Sequence, residues 1–283
     1  MPASASPLHT ERVIFLDIPM TAGPAMRAVV KRQYAPGEVI SVYRPLMEQT
    51  LADLQGLDEA RKRRSRFILG HVSFGVHELL PEPAECKYVT VLRDPVERVI
   101  DEYEYIRRTK QHFLHDQVSG MTLKDFAAAG LANGTQNGQT KYLTQTRWSS
   151  LSGRDGATGA IRPLPDAALE QAKRNLEQHF LVVGLTEELD ATLLMLKRRL
   201  GWKLPFYAGN ATPPPPPRAL RPTVPADAVR AIEKHNELDL QLYDWSRRRF
   251  EQAVWGTGLL FQAELRGFQA LNAWYAFHRR GGR

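Results

Sequence analysis

The chain has 283 residues, 43% of them hydrophobic and 24% charged, and a formal net charge of +7. This composition predicts that most of the chain is folded, and the single cysteine, Cys86, excludes an internal disulfide framework. The positive charge either keeps the protein soluble or attracts an anionic ligand. Residues 1–11 are typical of a disordered leader, and no apolar run approaches the length of a membrane span. We therefore expect a cytoplasmic protein.

Five short apolar runs predict the strands of a sheet. They are Arg12–Ile18, Val39–Tyr43, Phe67–Gly70, Lys87–Leu92 and Phe180–Gly184. The runs are mostly continuous rather than alternating, which is typical of parallel strands that are buried on both faces. Helical patterns lie between them, and the first, Ala25–Tyr34, stops at Pro36-Gly37. This alternation predicts a three-layer α/β domain with a central, mostly parallel sheet.

Capping residues mark further helices. Asp94 and Pro95 open one helix after the fourth strand, and Thr122 opens another with an acid three residues later. The segment Glu187–Leu200 has acids in its first turn, bases in its last turn and Gly201 immediately after it, as helices commonly do.

The end of the chain has two unusual segments. Residues 210–222 contain five consecutive prolines and predict a polyproline-II loop, which serves as a stiff spacer or a recognition motif. Residues 251–283 are rich in aromatic residues at helical spacing and predict a C-terminal helix. This helix packs on its own domain, on a partner such as a second copy of the chain, or on a membrane surface.

The first strand ends in the small-residue loop "IPMTAGPAMR", residues 18–27. A strand–loop–helix turn of this kind either binds an anion at the helix N-terminus or simply connects two elements. Ala22, Gly23 and Ala25 let a ligand approach the backbone closely. Pro24 suits the start of a helix but removes one N–H donor.

Polar residues follow two other strands at the same predicted edge of the sheet. Arg93 leaves the fourth strand beside a helix N-terminus, where it either binds a phosphate or pairs with an acid and ties down the turn. His71 follows the third strand and is either structural or a general base. The stretch "NGTQNGQTKYLT", residues 133–144, is too polar for a core and predicts a binding loop. His112 and His115 lack a third ligand, so no metal site is predicted.

Several of these blocks together resemble the carbohydrate sulfotransferase family, which includes heparan sulfate 2-O-sulfotransferase and many bacterial members. The blocks are the strand followed by "PMTAG", then "GHVSFGVH", "VLRDPVERVIDEYEY", "NGQTKYLT" and "LEQAKRNLEQHFLVVGLTEELDATLLMLKRRLGW". They occur in the family's order over residues 12–250. The resemblance implies a P-loop-like sulfotransferase domain over that interval, followed by the C-terminal helix.

The resemblance implies sulfuryl transfer from 3′-phosphoadenosine-5′-phosphosulfate (PAPS) to a hydroxyl of a carbohydrate or small molecule, without nucleic acid or metal. His71 is the implied general base. The implied donor-binding residues are Met20, Thr21, Ala22, Gly23, Pro24, Ala25, Arg93, Asp101, Arg218 and Arg221. The implied substrate-binding residues are His77, Gln139, Lys141 and Tyr142.

Four residues depart from the family pattern, and all lie on the donor side. Met20 stands in place of a lysine, Pro24 and Ala25 in place of hydroxyl residues, and Asp101 in place of the serine that holds the 3′-phosphate. A carboxylate about 4 Å from a phosphate charge costs about 4 kcal/mol at an effective dielectric constant near 20. The candidate replacements for the missing cation are Lys141, Arg27, Arg218 and Arg221.

Three hypotheses follow. The first is a PAPS-dependent sulfotransferase with a rearranged donor site. The second is an enzyme for a different nucleotide or anionic ligand, in which Asp101 accepts a hydrogen bond from a free ribose hydroxyl. The third is a non-catalytic binding protein on the same fold.

Overall fold

A computed structural model describes residues 11–44, 47–131, 135–144, 164–165, 167–208 and 224–280. The predicted leader up to residue 10, the proline loop at 210–222, Arg218 and Arg221 lie outside the described residues. The strands are β1 (Arg12–Leu16), β2 (Val39–Val42), β3 (Phe67–Gly70), β4 (Cys86–Leu92) and β5 (Phe180–Leu185). All five predicted strands are thus confirmed, each within two residues of its predicted ends.

The strands form one parallel sheet in the order β2-β3-β1-β4-β5, so β1 lies at its centre. Alternate residues of β1 serve the two faces. Ile14 and Leu16 join one apolar cluster, and Val13 and Phe15 join a second one. Both faces are therefore covered, which explains why the strand sequences are continuously apolar.

The described helices number twelve. They are α1 (Gly23–Gln33), α2 (Met47–Gln55), α3 (Glu59–Arg64), α4 (Pro95–Arg108), α5 (His115–Ser119), α6 (Leu123–Ala129), α7 (Gly138–Thr144), α8 (Ala168–His179), α9 (Leu189–Leu200), α10 (Ala226–His235), α11 (Glu237–Gly256) and α12 (Leu259–Arg280). Short 3₁₀ turns cover Pro36–Glu38, Val76–Leu79 and Pro83–Glu85. None of these described helices combines the length and apolar composition needed to cross a bilayer.

The predicted helix signals act as expected. The Asp94 carboxylate accepts hydrogen bonds from the amides of Val96 and Glu97 at the start of α4. The Thr122 hydroxyl accepts from the amide of Asp125, and Gly201 ends α9 with a φ of +66°. Helix α1 begins two residues before its predicted start.

Two sequence-based predictions need correction. Residues 138–144 form α7 rather than a loop, and Gly138–Leu143 are buried although polar. The reason is that side chains from elsewhere satisfy their hydrogen bonds. Residue 250, the predicted end of the α/β domain, lies inside α11, and the C-terminal helix α12 begins only at Leu259.

Candidate active site

The carboxyl ends of β1, β3 and β4 bring three chain segments together at one edge of the sheet. Asp17 and the small-residue loop follow β1, His71 follows β3, and Arg93 follows β4. Because these strands are adjacent and parallel, their ends meet where open α/β sheets bind ligands. The site therefore contains the loop, the histidine and the arginine that the sequence singled out.

His71 has a defined orientation. Its Nδ1 atom lies 2.8 Å from the main-chain carbonyl oxygen of Asp17, and its ring meets the Tyr43 ring edge-on with centroids 4.9 Å apart. A carbonyl oxygen only accepts hydrogen bonds, so Nδ1 carries a hydrogen, and in the neutral ring Nε2 therefore keeps its lone pair. This tautomer is the one in which Nε2 can accept a proton.

Asp17 is buried beside His71. The Tyr43 hydroxyl donates a 2.7 Å hydrogen bond to Asp17 Oδ2, and Nη1 of Arg27 lies 3.6 Å from the same oxygen. The Arg27 guanidinium also lies over the Tyr43 ring, 4.5 Å from its centroid. Burial raises the pKa of Asp17, and His71, Tyr43 and Arg27 offset part of that rise.

The loop after β1 is shaped for a close approach to its backbone. Helix α1 starts at Gly23 behind Ala22, whose side chain has no oxygen to cap the helix, and Ala25 is buried while Pro24 is exposed. A Cβ on Gly23 would lie only 2.3 Å from Asp17 Oδ2, so this position requires glycine. The first amides of α1 therefore remain available to an anion.

Met20 and Thr21 serve the loop itself. Met20 adopts a left-handed backbone with φ of +66°, and its carbonyl oxygen accepts a 2.9 Å hydrogen bond from Arg93 Nη1. The Thr21 hydroxyl is buried and donates to the carbonyl oxygen of Ile18. Both residues thus hold the loop in its bent form.

Arg93 forms the acid pair that was one of its two predicted roles. Its Nη2 atom lies 2.6 Å from Asp101 Oδ2, and both side chains are largely buried. The guanidinium therefore joins Asp101 on α4 to the Met20 carbonyl in the loop. A phosphate can reach this arginine only in competition with the Asp101 carboxylate.

The α7 residues predicted to bind substrate are all buried. The Gln139 amide accepts from the Arg93 main-chain N–H at 3.0 Å and donates to the Arg93 carbonyl at 2.9 Å. Burial lowers the pKa of Lys141 and raises that of Tyr142. The side-chain amide of Gln139 thus binds the main chain of Arg93 rather than facing a substrate.

A buried charged group lies beneath the site. Arg98 is fully buried, with Nη1 at 3.7 Å from Glu102 Oε2 and Nη2 at 3.9 Å from Asp239 Oδ2. Burial raises the pKa of Glu102, while Arg98 and His71 lower it. A protonated His71 therefore lowers the pKa of two buried acids, Asp17 and Glu102.

His77 lies apart from this group. Its Nδ1 atom is 2.8 Å from the Tyr88 hydroxyl, and its ring packs against Phe74, Tyr88 and His179. Tyr88 stands four residues before the end of β4, about 13 Å from the edge that carries Arg93. The structure therefore does not bring His77 to His71.

No functional role was predicted for Asp17, Tyr43 or Glu102. An acid that directly follows the apolar run at residues 13–16 was the available signal for Asp17, because such a residue sits at the ligand edge of the sheet. Tyr43 follows the edge strand β2 and Glu102 lies within α4. Neither position in the sequence shows that the side chain lies near His71. Among the described residues, no cluster of three or more metal-binding side chains occurs.

The site at the sheet edge combines a helix N-terminus, an oriented histidine and an arginine. The family model for galactose-3-O-sulfotransferase matches residues 43–264, and the chain belongs to this family. Its α/β sulfotransferase fold, predicted from the sequence, is confirmed. The resemblance to the 2-O-sulfotransferase in particular stays a prediction.

The chain is similar to several heparan-sulfate 6-O-sulfotransferases. It is 30% identical to heparan-sulfate 6-O-sulfotransferase 1 of Cricetulus griseus over 197 residues, which cover 61% of this chain and 46% of that protein. The Homo sapiens protein gives the same identity and covers 45% of its length. Heparan-sulfate 6-O-sulfotransferase 3 of Mus musculus is 29% identical over 189 residues, 58% of this chain and 38% of that one. The chain thus spans less than half the length of these relatives.

Among solved structures, mouse sulfotransferase SULT7A1 complexed with PAP aligns with a TM-score of 0.39 and 12% identity. The alignment covers 69% of this chain and 60% of the mouse chain. This likeness is too distant to add to the family assignment.

Proposed function

We propose that the protein transfers a sulfuryl group from PAPS to a hydroxyl of a carbohydrate, with His71 as the general base. The observation that carries this proposal is the hydrogen bond between His71 Nδ1 and the Asp17 carbonyl, which leaves Nε2 as a proton acceptor beside the α1 N-terminus. The names of the similar proteins supply the acceptor class. The donor supplies an activated sulfuryl group when bound.

In the proposed reaction, Nε2 of His71 takes the proton from the acceptor hydroxyl while that oxygen bonds to sulfur. The bond between sulfur and the bridging phosphate oxygen breaks, and the negative charge passes to the phosphate. The buried acids Asp17 and Glu102 stabilise the imidazolium that His71 becomes. The α1 amides are placed to stabilise the phosphate, and the Arg27 guanidinium lies over the Tyr43 ring, which also contacts the His71 ring.

The site residues fit the two ends of PAPS unequally. The uncapped α1 N-terminus and the small loop residues suit a 5′-phosphosulfate. At the other end, Asp101 already occupies Arg93, so a 3′-phosphate requires that pair to open. This pair favours a second candidate function, transfer from a nucleotide with a free 3′-hydroxyl that donates to Asp101.

The test of the first proposal is radiolabelled sulfate transfer from PAPS to galactose-containing oligosaccharides and to desulfated heparan sulfate. His71→Asn keeps a donor for the Asp17 carbonyl but removes the base, so the rate should fall by at least about 10²-fold. His115→Asn is the matched control, because His115 Nδ1 also binds a carbonyl oxygen, that of Ile106. An unchanged rate in His71→Asn would refute the role of the base.

The two donor classes are separated by thermal-shift titration with 3′,5′-ADP and with 5′-AMP. Asp101→Ser should tighten 3′,5′-ADP binding by at least about tenfold, since it removes a carboxylate from a phosphate site. Asp116→Ser removes an exposed acid on α5 and should leave both affinities unchanged. If the unaltered chain prefers 3′,5′-ADP over 5′-AMP, the second candidate is wrong. Nucleotide binding without transfer to any acceptor would instead indicate the non-catalytic alternative.

A further inference from the structure

Helix α12 exposes an apolar face that the rest of the described chain leaves uncovered. Leu259, Leu260, Leu271, Trp274 and Phe277 are each 51–88% exposed. On the opposite side, Phe261, Leu265 and Phe268 are buried against the domain. Contiguous exposed apolar area of this kind marks an interaction site in a soluble protein.

The exposed residues fall on one stripe of the helix. At 100° per residue, Leu259, Ala263, Gly267, Ala270, Trp274 and Phe277 lie within about 80° of one another. Leu260 and Leu271 border the stripe. The large side chains stand near its two ends, and the small ones stand in the middle. The only acid of α12, Glu264, points away to ion pairs with Lys197 and Arg198 of α9.

We propose that α12 forms a homodimer in which two copies of the helix pack antiparallel across a twofold axis at Gly267. In that arrangement, Leu260 of one copy meets Trp274 of the other, and Ala263 meets Leu271. The two Gly267 residues face each other, which allows the closest approach at the centre. The stripe is thus complementary to itself, as a twofold interface requires.

The exposed apolar area of α12 matches the area that each partner buries in a stable dimer. Five large side chains that are half to nine-tenths exposed, together with the small residues between them, offer on the order of 700–800 Å². A stable interface buries about 800 Å² per partner. A membrane surface is a poorer match, because helices that lie on membranes carry several bases on the flanks, whereas the middle of this stripe is flanked by Arg266 alone.

Gly267 provides a variant that leaves the single chain intact. A Cβ at Gly267 would meet no other atom within 4 Å in the described chain, so Gly267→Leu fits the monomer. In the antiparallel pair, two leucines would collide on the axis. We expect Gly267→Leu to raise the dimer dissociation constant by at least about 100-fold in sedimentation velocity. Gly120→Leu is the control, since Gly120 is also exposed with open space around it.

Disulfide trapping tests the geometry. The native Cys86 is buried, so any crosslink between chains is attributed to the cysteine introduced on α12. Gly267→Cys should give a covalent dimer on oxidation, whereas two Leu260→Cys residues would lie about 20 Å apart along antiparallel helices. Crosslinking of Leu260→Cys but not of Gly267→Cys would overturn the antiparallel arrangement.

The salt dependence of binding distinguishes dimerisation from membrane binding. The twofold axis places both Arg266 side chains on the same flank near the centre, so salt should strengthen the dimer. Binding to anionic vesicles of phosphatidylserine and phosphatidylcholine would instead weaken with salt. A chain that stays monomeric at 100 μM in about 0.5 M salt, or that binds vesicles as a monomer, overturns the proposal.

Discussion

Asp239 holds α7 in place from α11, and its removal should destabilise the site from a distance. Its carboxylate is fully buried. It accepts hydrogen bonds from the main-chain N–H of Gln139 at 2.9 Å, and from the main-chain N–H and the hydroxyl of Thr140 at 2.7 Å each. It also lies 3.9 Å from Nη2 of the buried Arg98. Asp239→Ala therefore leaves two main-chain amides, one hydroxyl and one arginine without this partner.

The magnitude follows from these contacts. A hydrogen bond to a charged group contributes about 1.5–3 kcal/mol, and removal of one partner of a buried ion pair costs about 3–5 kcal/mol. The contacts share one carboxylate, so their energies do not add. We expect Asp239→Ala to lower the free energy of unfolding by about 4 kcal/mol. At about 2–4 °C per kcal/mol, the midpoint of thermal unfolding should fall by about 10 °C.

Urea unfolding followed by circular dichroism measures the loss, and hydrogen exchange shows where it arises. The amides of Gln139 and Thr140 should exchange faster in the variant before global unfolding. Asp244→Ala is the control on the same helix, because Asp244 is 45% exposed and its ion pairs within the described part of the chain are with exposed Arg247 and Arg248. That control should lose less than about 1 kcal/mol. A loss below about 1 kcal/mol in Asp239→Ala would refute the reasoning.

Three further predictions concern stability. Gly70→Ala should destabilise the fold by about 3 kcal/mol in urea unfolding, because its Cβ would lie 2.0 Å from the Val42 carbonyl oxygen on β2; Gly120→Ala, with open space around it, should not. Asp94→Ala should cost about 1–2 kcal/mol and Asp94→Ser much less, and equal losses would contradict its role as the α4 cap. The Tyr88 hydroxyl oxygen accepts from the amides of Gly75 and His77, so its hydrogen goes to His77 Nδ1. Burial lowers the pKa of the His77 imidazole in the folded protein. As pH falls, the unfolded chain therefore takes up a proton at His77 at about pH 6.5, whereas the folded protein takes it up only at a lower pH. Stability should drop between pH 7.5 and 5.5, and His77→Asn should drop less; identical slopes would show that His77 stays uninvolved.

Local physics made the sheet and the helix caps predictable. The strands β1, β3 and β4 carry apolar residues on both faces, and Asp94, Thr122 and Gly201 act through residues at most four positions away. These features depend on residues that are close in sequence, so the sequence of this chain alone is enough to predict them.

The site was only partly predictable, because its contacts join distant segments. The sequence places His71 and Arg93 at strand ends, but it does not determine whether Arg93 binds a phosphate or an acid, and the structure shows a 2.6 Å pair with Asp101. Gln139 was assigned to substrate because it is polar, yet its amide replaces the missing main-chain partners of Arg93. Polarity alone does not distinguish a residue that meets a ligand from one that satisfies a buried backbone.

The left-handed backbone of Met20 has a consequence for ligand choice. A residue with a side chain is disfavoured at φ of +66°, and Arg93 holds Met20 there through its carbonyl oxygen. Any ligand that draws the Arg93 guanidinium away also frees the loop to relax. The binding of such a ligand at Arg93 and the shape of the loop are then thermodynamically linked, and each must change the other by the same free energy. The hydrogen bond from Arg93 to Met20 therefore couples any ligand at Arg93 to the conformation of the loop.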